Sequence, residues 1–189
     1  MKPFLETVRE RVVIYDGAMG TEIQERHPSM DDFWGKENCS EVLVLSRPDI
    51  IKDIHAAYFK AGADVVETNT FGGTRIVLGE FDLADKVHEI NKRAAELACE
   101  VARDFSGNGK PRYVAGSMGP GTKLPSLGQI KVGVQVVGFS LRSLSIGNLP
   151  SCRIRTMCLV IKSSLSGRPR MDVCSTLSAV QVPMVFQTG

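Results

Sequence analysis

The sequence predicts an α/β fold with parallel strands, and three similar stretches of chain carry that prediction. In each stretch a short apolar run ends abruptly in polar residues and glycine, as buried parallel strands do where they open into a binding site. If the strands are parallel, these polar tips share one edge of the sheet. The three predicted strands that contain these runs are residues 12–15, 64–67 and 112–115, and the polar tips at their ends are residues 16–21, 67–73 and 116–121.

Two helices are predicted to connect the strands. The first covers residues 46–62, because Ser46 and Asp49 fit a capping box and Gly62 suits the left-handed residue that ends a helix. The second covers about 84–105, where apolar residues recur at helical spacing. The strand at 64–67 follows the first helix at once, and the strand at 112–115 follows the second after the turn at 106–109. The connections are long enough for right-handed βαβ units.

Two architectures fit this order of elements: a (β/α)8 TIM barrel and an open doubly wound sheet. The glycine-rich tips lack the G-x-G-x-x-G spacing of a dinucleotide-binding turn. Polar tips on every strand favour the barrel. A typical barrel needs about 250 residues, whereas the first 130 residues here hold three predicted strands. We therefore expect a partial barrel, consisting of the first three or so βα units.

Charge divides the chain into two parts. Residues 1–130 have a net charge of −4, from 16 basic and 20 acidic residues, whereas residues 131–189 have a net charge of +6. The first part gives no indication of nucleic-acid binding, and no run has the roughly 20 apolar residues of a membrane helix. The five cysteines are scattered without C-x-x-C spacing, and the N-terminus lacks a secretory apolar block. We therefore expect a cytoplasmic protein.

Five motifs in order resemble one known family, the homocysteine S-methyltransferase domain. The likeness is closest to the N-terminal homocysteine-binding domain of cobalamin-dependent methionine synthases, with betaine- and S-methylmethionine-dependent enzymes as the alternative. It covers about residues 11–130 and implies transfer of a methyl group to the sulfur of homocysteine, which yields methionine. The motifs are Asp-Gly-Ala-Met-Gly-Thr at 16–21, Arg-Pro-Asp at 47–49, Ala-Gly-Ala-Asp at 61–64, Glu-Thr-Asn-Thr-Phe-Gly at 67–72 and Ala-Gly-Ser-Met-Gly-Pro at 115–120.

The resemblance implies a substrate-binding role for six residues at the tips. Asp16 would pair with the ammonium group of homocysteine, since a carboxylate suits a cation. The amide of Gly17 and the backbone or hydroxyl of Thr68 would face the substrate carboxylate. Three further residues would line or brace the pocket: Glu67, Asn69 and Ser117. From residue types alone, these side chains could instead close a turn, satisfy backbone groups or form a structural ion pair, which is the favoured interpretation for Glu67.

The resemblance also implies a zinc ion, because only a thiolate attacks well and a free thiol has a pKa of about 8.5. In the family three cysteines hold this zinc, one in an Asn-Cys motif and two as a Cys-Cys pair, and this sequence contains neither motif. We therefore assign no metal ligand and no catalytic residue. The family binds cobalamin and folate in separate modules, which are absent here. We expect a truncated chain that has homocysteine as its partner and little or no activity.

Residues 131–189 do not match the family. They are basic and rich in serine, and they show no capped helical period. We interpret this tail as an out-of-frame or otherwise aberrant continuation, with a genuine basic extension as the rival interpretation. Two other function classes stay open: a catalytically silent amino-acid- or partner-binding module, and an aldolase-like lyase. The lyase is disfavoured because no lysine ends a recognisable strand to form a Schiff base.

Overall fold

The computed structural model describes residues 3–107, 110–119, 121–122, 152–154 and 184–188. Helices and strands both occur, so the predicted α/β class is confirmed. A 3-10 turn at Ser40–Val42 precedes the third helix. The helices are α1 Phe4–Glu10, α2 Met19–Glu25, α3 Leu43–Ser46, α4 Pro48–Ala61, α5 Arg75–Gly79 and α6 Val87–Phe105, and the strands are β1 Val65–Glu67, β2 Tyr113–Gly116, β3 Cys152–Ile154 and β4 Met184–Thr188.

Strands β1 and β2 pair in parallel, with Val65 opposite Tyr113 and Glu67 opposite Ala115. This pairing confirms two of the predicted strands and their shared direction. On its other side β2 pairs with β4 in antiparallel orientation, and β4 pairs with β3, so the order of the sheet is β1-β2-β4-β3. Most of the predicted tail, residues 131–189, lies outside the described residues.

The predicted strand over residues 12–15 is wrong. This stretch runs beside β1 and is parallel to it, but the pairing amounts to an isolated bridge between Tyr15 and Val65 and does not extend into a strand. The reason is that the amide of Ile14 donates to the side-chain carboxylate of Asp64 at 3.1 Å. A side chain thus replaces the backbone partner that a continued ladder would need.

Helix α4 begins later than predicted, and the capping box is wrong. Ser46 belongs to α3, where its hydroxyl donates to the carbonyl oxygen of Val42 at 3.3 Å. Pro48 takes the first turn of α4, a position that tolerates its missing amide hydrogen. Asp49 pairs with Arg47 at 2.7 Å. The predicted end is confirmed, because Gly62 has a φ of 114°, in the left-handed region.

Helices α4 and α6 pack against each other and cover the parallel strands. The predicted helix over 84–105 is confirmed as α6, although it begins at Val87. One buried cluster joins α3, α4 and α6, and a second joins α4 and α6 to the sheet. Burying each large aliphatic side chain contributes about 1.5–3 kcal/mol. Large members are Leu43, Ile51, Ile54, Leu78, Ile90 and Leu97 in the first cluster and Phe59, Val66 and Val114 in the second.

An ion-pair clasp, formed by Arg11, Asp64 and Arg112, holds the amino ends of β1 and β2. Arg11 donates to both carboxylate oxygens of Asp64, at 2.7 and 2.9 Å. Arg112 lies 4.0 Å from the same carboxylate, and it donates to the carbonyl oxygens of Phe59 and Ala63 near the end of α4. The clasp therefore links residues 11–14, which run beside β1, to the end of α4 and the start of β2.

Within the described residues, none of the helices combines the length and the apolar character needed to cross a bilayer.

Candidate functional site

The first polar tip attaches to the carboxyl end of β1 through Asp16. The carboxylate of Asp16 accepts the amide of Glu67 at 2.9 Å, and the Asp16 amide donates to the carbonyl oxygen of Val65 at 3.0 Å. The side chain of Asp16 is half-buried. This contact brings a carboxylate from residues 16–21 to the end of β1, where the sequence placed a binding site.

The second and third tips are joined by a closed ring of hydrogen bonds among Thr68, Thr70 and Ser117. The Ser117 amide donates to the Thr68 hydroxyl at 3.1 Å, and the Thr70 hydroxyl donates to the Ser117 carbonyl oxygen at 2.7 Å. The two hydroxyl oxygens are 2.7 Å apart. Because Thr70 gives its only proton to Ser117, Thr68 must donate to Thr70. The ring therefore has one direction.

Contacts from outside the sheet hold the β1 tip, which we define as residues 67–73. The side-chain amide of Asn69 donates to the carbonyl oxygen of Ser40 at 2.7 Å, and the Gly72 amide donates to the Glu41 carboxylate at 2.7 Å. Asn91 on α6 donates to the carbonyl oxygen of Gly73 at 2.7 Å. Two different elements thus fix the path of this tip.

Two glycines allow the tips to approach their neighbours closely. A Cβ on Gly17 would lie 3.0 Å from the hydroxyl of Tyr58, which also donates to the carbonyl oxygen of Ala18 at 3.4 Å. A Cβ on Gly119 would lie 2.7 Å from the carbonyl oxygen of Phe71, which accepts the Gly119 amide. At Gly119 the neighbouring atom is backbone, so only glycine permits this contact, whereas at Gly17 the neighbour is the side chain of Tyr58.

Burial raises the pKa of Asp16 from 3.8 to about 7, and the neighbouring charge of Glu67 acts in the same direction. Burial, with the charges of Glu67 and Asp16, also raises the pKa of Tyr15 to about 12. Near neutral pH Asp16 is therefore easily protonated when no cation is present. A bound ammonium group would favour the ionised form, so the site is suited to a cationic ligand.

The structure brings five of the six predicted site residues into one hydrogen-bonded assembly of tips, and Gly17 follows Asp16 in the chain. The amide of Thr68 donates to the carbonyl oxygen of Ala115 at 2.8 Å, and its hydroxyl proton is used in the ring. These bonds favour a bracing role for Thr68. Its contact with a substrate carboxylate stays a prediction. The five assembled residues are Asp16, Glu67, Thr68, Asn69 and Ser117.

Sequence reasoning missed Thr70, Glu41, Asn91 and Tyr58. Thr70 carried a signal, because it stands two residues after Thr68 in the same polar tip. The other three lie 18 or more residues from the groups that they contact. No local pattern in the sequence indicates those contacts.

Replacing Thr70 with valine is expected to lower the free energy of unfolding by about 1–3 kcal/mol, because the Ser117 carbonyl and the Thr68 hydroxyl lose their partner in a buried place. Urea denaturation checks this. Thr70→Ser, which restores the hydroxyl, is the control and should lose less than half as much. Equal losses in the two variants would show that the methyl group, and not the ring, stabilises the tips.

The described residues do not fit a zinc ion. No group of three or more His, Cys, Asp and Glu side chains among them is placed to hold a metal. Cys39 and Cys99 are both buried thiols. Burial raises the pKa of the Cys39 thiol to about 11, helped by the charge of Glu41, which disfavours the thiolate that binds zinc.

Comparison with known proteins shows which proteins this chain resembles. A sequence model of the homocysteine S-methyltransferase family matches residues 13–143. Methionine synthase of Mycobacterium leprae is 51% identical over 124 residues, which are 66% of this chain and 10% of that protein. Methionine synthase of Mycobacterium tuberculosis is 46% identical over 130 residues, which are 69% and 11% respectively. This chain thus spans about a tenth of the length of these curated relatives.

Solved structures show the same fold. The metallated form of the homocysteine methyltransferase MmuM from Escherichia coli matches 72% of this chain and 44% of its own, with a TM-score of 0.53 and 22% identity. Its oxidised form matches 64% and 41%, with a TM-score of 0.53 and 24% identity. At this identity the likeness concerns the fold alone. The family match covers well over half of the chain, and so the chain belongs to the homocysteine S-methyltransferase family.

Proposed function

We propose that this chain forms the homocysteine-binding wall of a methionine-synthase-type homocysteine S-methyltransferase, as the first βα units of a (β/α)8 barrel. The observation that carries the proposal is the convergence of three tips, with the desolvated Asp16 carboxylate among them. The parallel pairing of β1 and β2 supports the barrel, because parallel strands place their carboxyl ends on one side. The identity to two methionine synthases supports the reaction class.

In this proposal Asp16 binds the ammonium group of homocysteine, and the amide of Gly17 faces the substrate carboxylate. Glu67 adds negative charge beside Asp16, which strengthens attraction for a cation. The ring formed by Thr68, Thr70 and Ser117 keeps the adjacent wall in place. Thr68 has no free proton to offer a carboxylate, so the Gly17 amide has the larger share in carboxylate recognition.

The described residues favour a chain that binds homocysteine but does not catalyse methyl transfer. Zinc supplies a deprotonated substrate sulfur in the family, and no described residues are suited to hold it. A catalytically silent homocysteine-binding module is therefore the second candidate. Cobalamin and folate would belong to other modules of such an enzyme. A cytoplasmic location belongs to the proposal as well. So does the division into a barrel segment, residues 1–130, and a tail, residues 131–189, with the family match continuing to residue 143 inside that tail.

Calorimetric titration with L-homocysteine tests the proposal. Asp16 must be ionised to pair with the ammonium group, and its pKa in the free protein is about 7. The affinity should therefore rise about tenfold between about pH 6 and about pH 8. Asp16→Ala should abolish binding. The control Asp82→Asn removes a carboxylate that is 95% exposed, and it should bind like the unaltered chain.

A second ligand separates ammonium recognition from thiol recognition. 4-Mercaptobutanoate lacks the ammonium group of homocysteine and should bind much more weakly. Equal affinity for both ligands, or homocysteine binding that survives Asp16→Ala, would contradict the assignment of Asp16. A methyl-transfer assay with homocysteine, added zinc and methylcobalamin as the methyl donor should show no turnover. Turnover would show that the chain holds the metal after all.

A further inference from the structure

Glu41 is an acidic side chain buried beside the proposed site. It lies in the 3-10 turn Ser40–Val42 and is only 5% exposed. One carboxylate oxygen accepts the Gly72 amide at 2.7 Å, and the other is 3.5 Å from the hydroxyl of Ser40. Across the part of the chain that the structure describes, no basic side chain forms an ion pair with it. This buried carboxylate therefore takes its short hydrogen bond from the Gly72 amide of the β1 tip.

Glu41 and its neighbour Ser40 each accept a hydrogen bond from the β1 tip. Besides the bond to Gly72, the carbonyl oxygen of Ser40 accepts the side-chain amide of Asn69 at 2.7 Å. The fit at Gly72 is close, because a Cβ there would lie 2.8 Å from the nearer Glu41 oxygen and 3.2 Å from Val77. One short turn thus fixes both the middle and the end of the tip.

A buried carboxylate is a costly way to fill space, since an apolar side chain of similar size would stabilise the fold as well or better. A charged acceptor does, however, bind a backbone amide more strongly and more directionally than a neutral one. The benefit of Glu41 is therefore a defined backbone path between Asn69 and Gly72. That path sets where the preceding residues, Glu67 and Thr68, stand relative to Asp16.

We propose that Glu41 is a positioning residue for homocysteine binding, which acts through the Gly72 amide and the β1 tip. This inference rests on the proposed function, since it takes homocysteine as the ligand. Glu41 does not touch the ligand in this proposal. Its effect on affinity comes from holding the tip in the conformation that faces Asp16.

Two variants and a control test the proposal on the full chain. Glu41→Ala removes the acceptor, and Glu41→Gln keeps an acceptor oxygen without the charge. Glu89→Gln is the control, because Glu89 is 56% exposed and its ion-pair partner is Lys86, which is not part of the tip. Each protein is titrated with L-homocysteine at a temperature where its circular dichroism shows it to be folded. Exchange of the Gly72 amide hydrogen is followed by NMR without ligand.

We expect Glu41→Ala to weaken homocysteine binding and to speed Gly72 exchange, each by about tenfold. Glu41→Gln should fall between Glu41→Ala and the unaltered chain in both measurements, and it carries the test if the alanine variant does not fold. Unchanged affinity in the folded Glu41 variants would overturn the positioning role even if their melting temperatures fall. Absence of homocysteine binding by the unaltered chain would instead overturn the proposed function, and the positioning role with it.

Discussion

Replacing Asp64 with alanine is expected to lower the free energy of unfolding by about 3 kcal/mol. The Asp64 side chain is 3% exposed, and its carboxylate accepts two hydrogen bonds from Arg11 and one from the Ile14 amide. Without it, the buried guanidinium of Arg112 loses its neighbouring anion, and Arg11 and the Ile14 amide lose their side-chain acceptor. Urea denaturation at neutral pH measures the loss.

Asp53→Ala is the matched control. Asp53 also pairs with an arginine, Arg26, at 2.8 Å, but its side chain is 64% exposed. Its removal should cost about 0.5 kcal/mol or less. Arg11 lowers the pKa of Asp64, so the contribution of the clasp should be complete at neutral pH. It should disappear as the pH falls below about 4 and the carboxyl becomes protonated. Similar losses in the two alanine variants would contradict a special role for the clasp.

Asp16→Asn is expected to have the opposite effect and to stabilise the ligand-free chain at pH 8 by about 2–4 kcal/mol. The pKa of Asp16 is about 7 in the folded chain against 3.8 without burial, so the folded state binds this proton more tightly than the unfolded state does. The stability that depends on Asp16 therefore falls as the pH rises from about 4 to about 7. Asparagine carries no charge and can still accept the Glu67 amide.

The difference in stability between Asp16→Asn and the unaltered chain should consequently be small near pH 4 and largest near pH 8. Thermal denaturation across this range measures it. The same substitution should remove homocysteine binding, as expected where a binding group is destabilising in the free protein. A variant that is less stable than the unaltered chain at pH 8 would show that Asp16 braces the fold.

The sequence predicted the parallel strands and helix α6 well, because those elements have strong local patterns. Gly62 marked the end of α4 for the same reason. The start of α4 was wrong because Ser46 can cap a helix or end one, and only the tertiary contacts of α3 decide between these roles. The strand over 12–15 was wrong because Asp64, about 50 residues away, takes the amide that the ladder needed.

The residues of the candidate site also differ in whether the sequence alone could identify them. Asp16, Thr68 and Ser117 could be singled out from the sequence because each lies in a polar stretch at the end of an apolar run, within a motif that resembles the family. Glu41 could not be singled out in this way. It accepts a backbone amide 31 residues away, and no motif around it in the sequence indicates that contact. Close contacts at glycines, such as that of Tyr58 with Gly17, likewise become visible only when the helices are packed.

The ring that joins Thr68, Thr70 and Ser117 contains two hydroxyls, one amide and one carbonyl, and none of these groups gains or loses a proton between about pH 4 and about pH 9. This wall therefore behaves as a fixed reference surface while Asp16 changes its charge beside it. A change of pH should therefore alter how strongly the site around Asp16 attracts a cation, but it should not alter the shape of the wall formed by the ring.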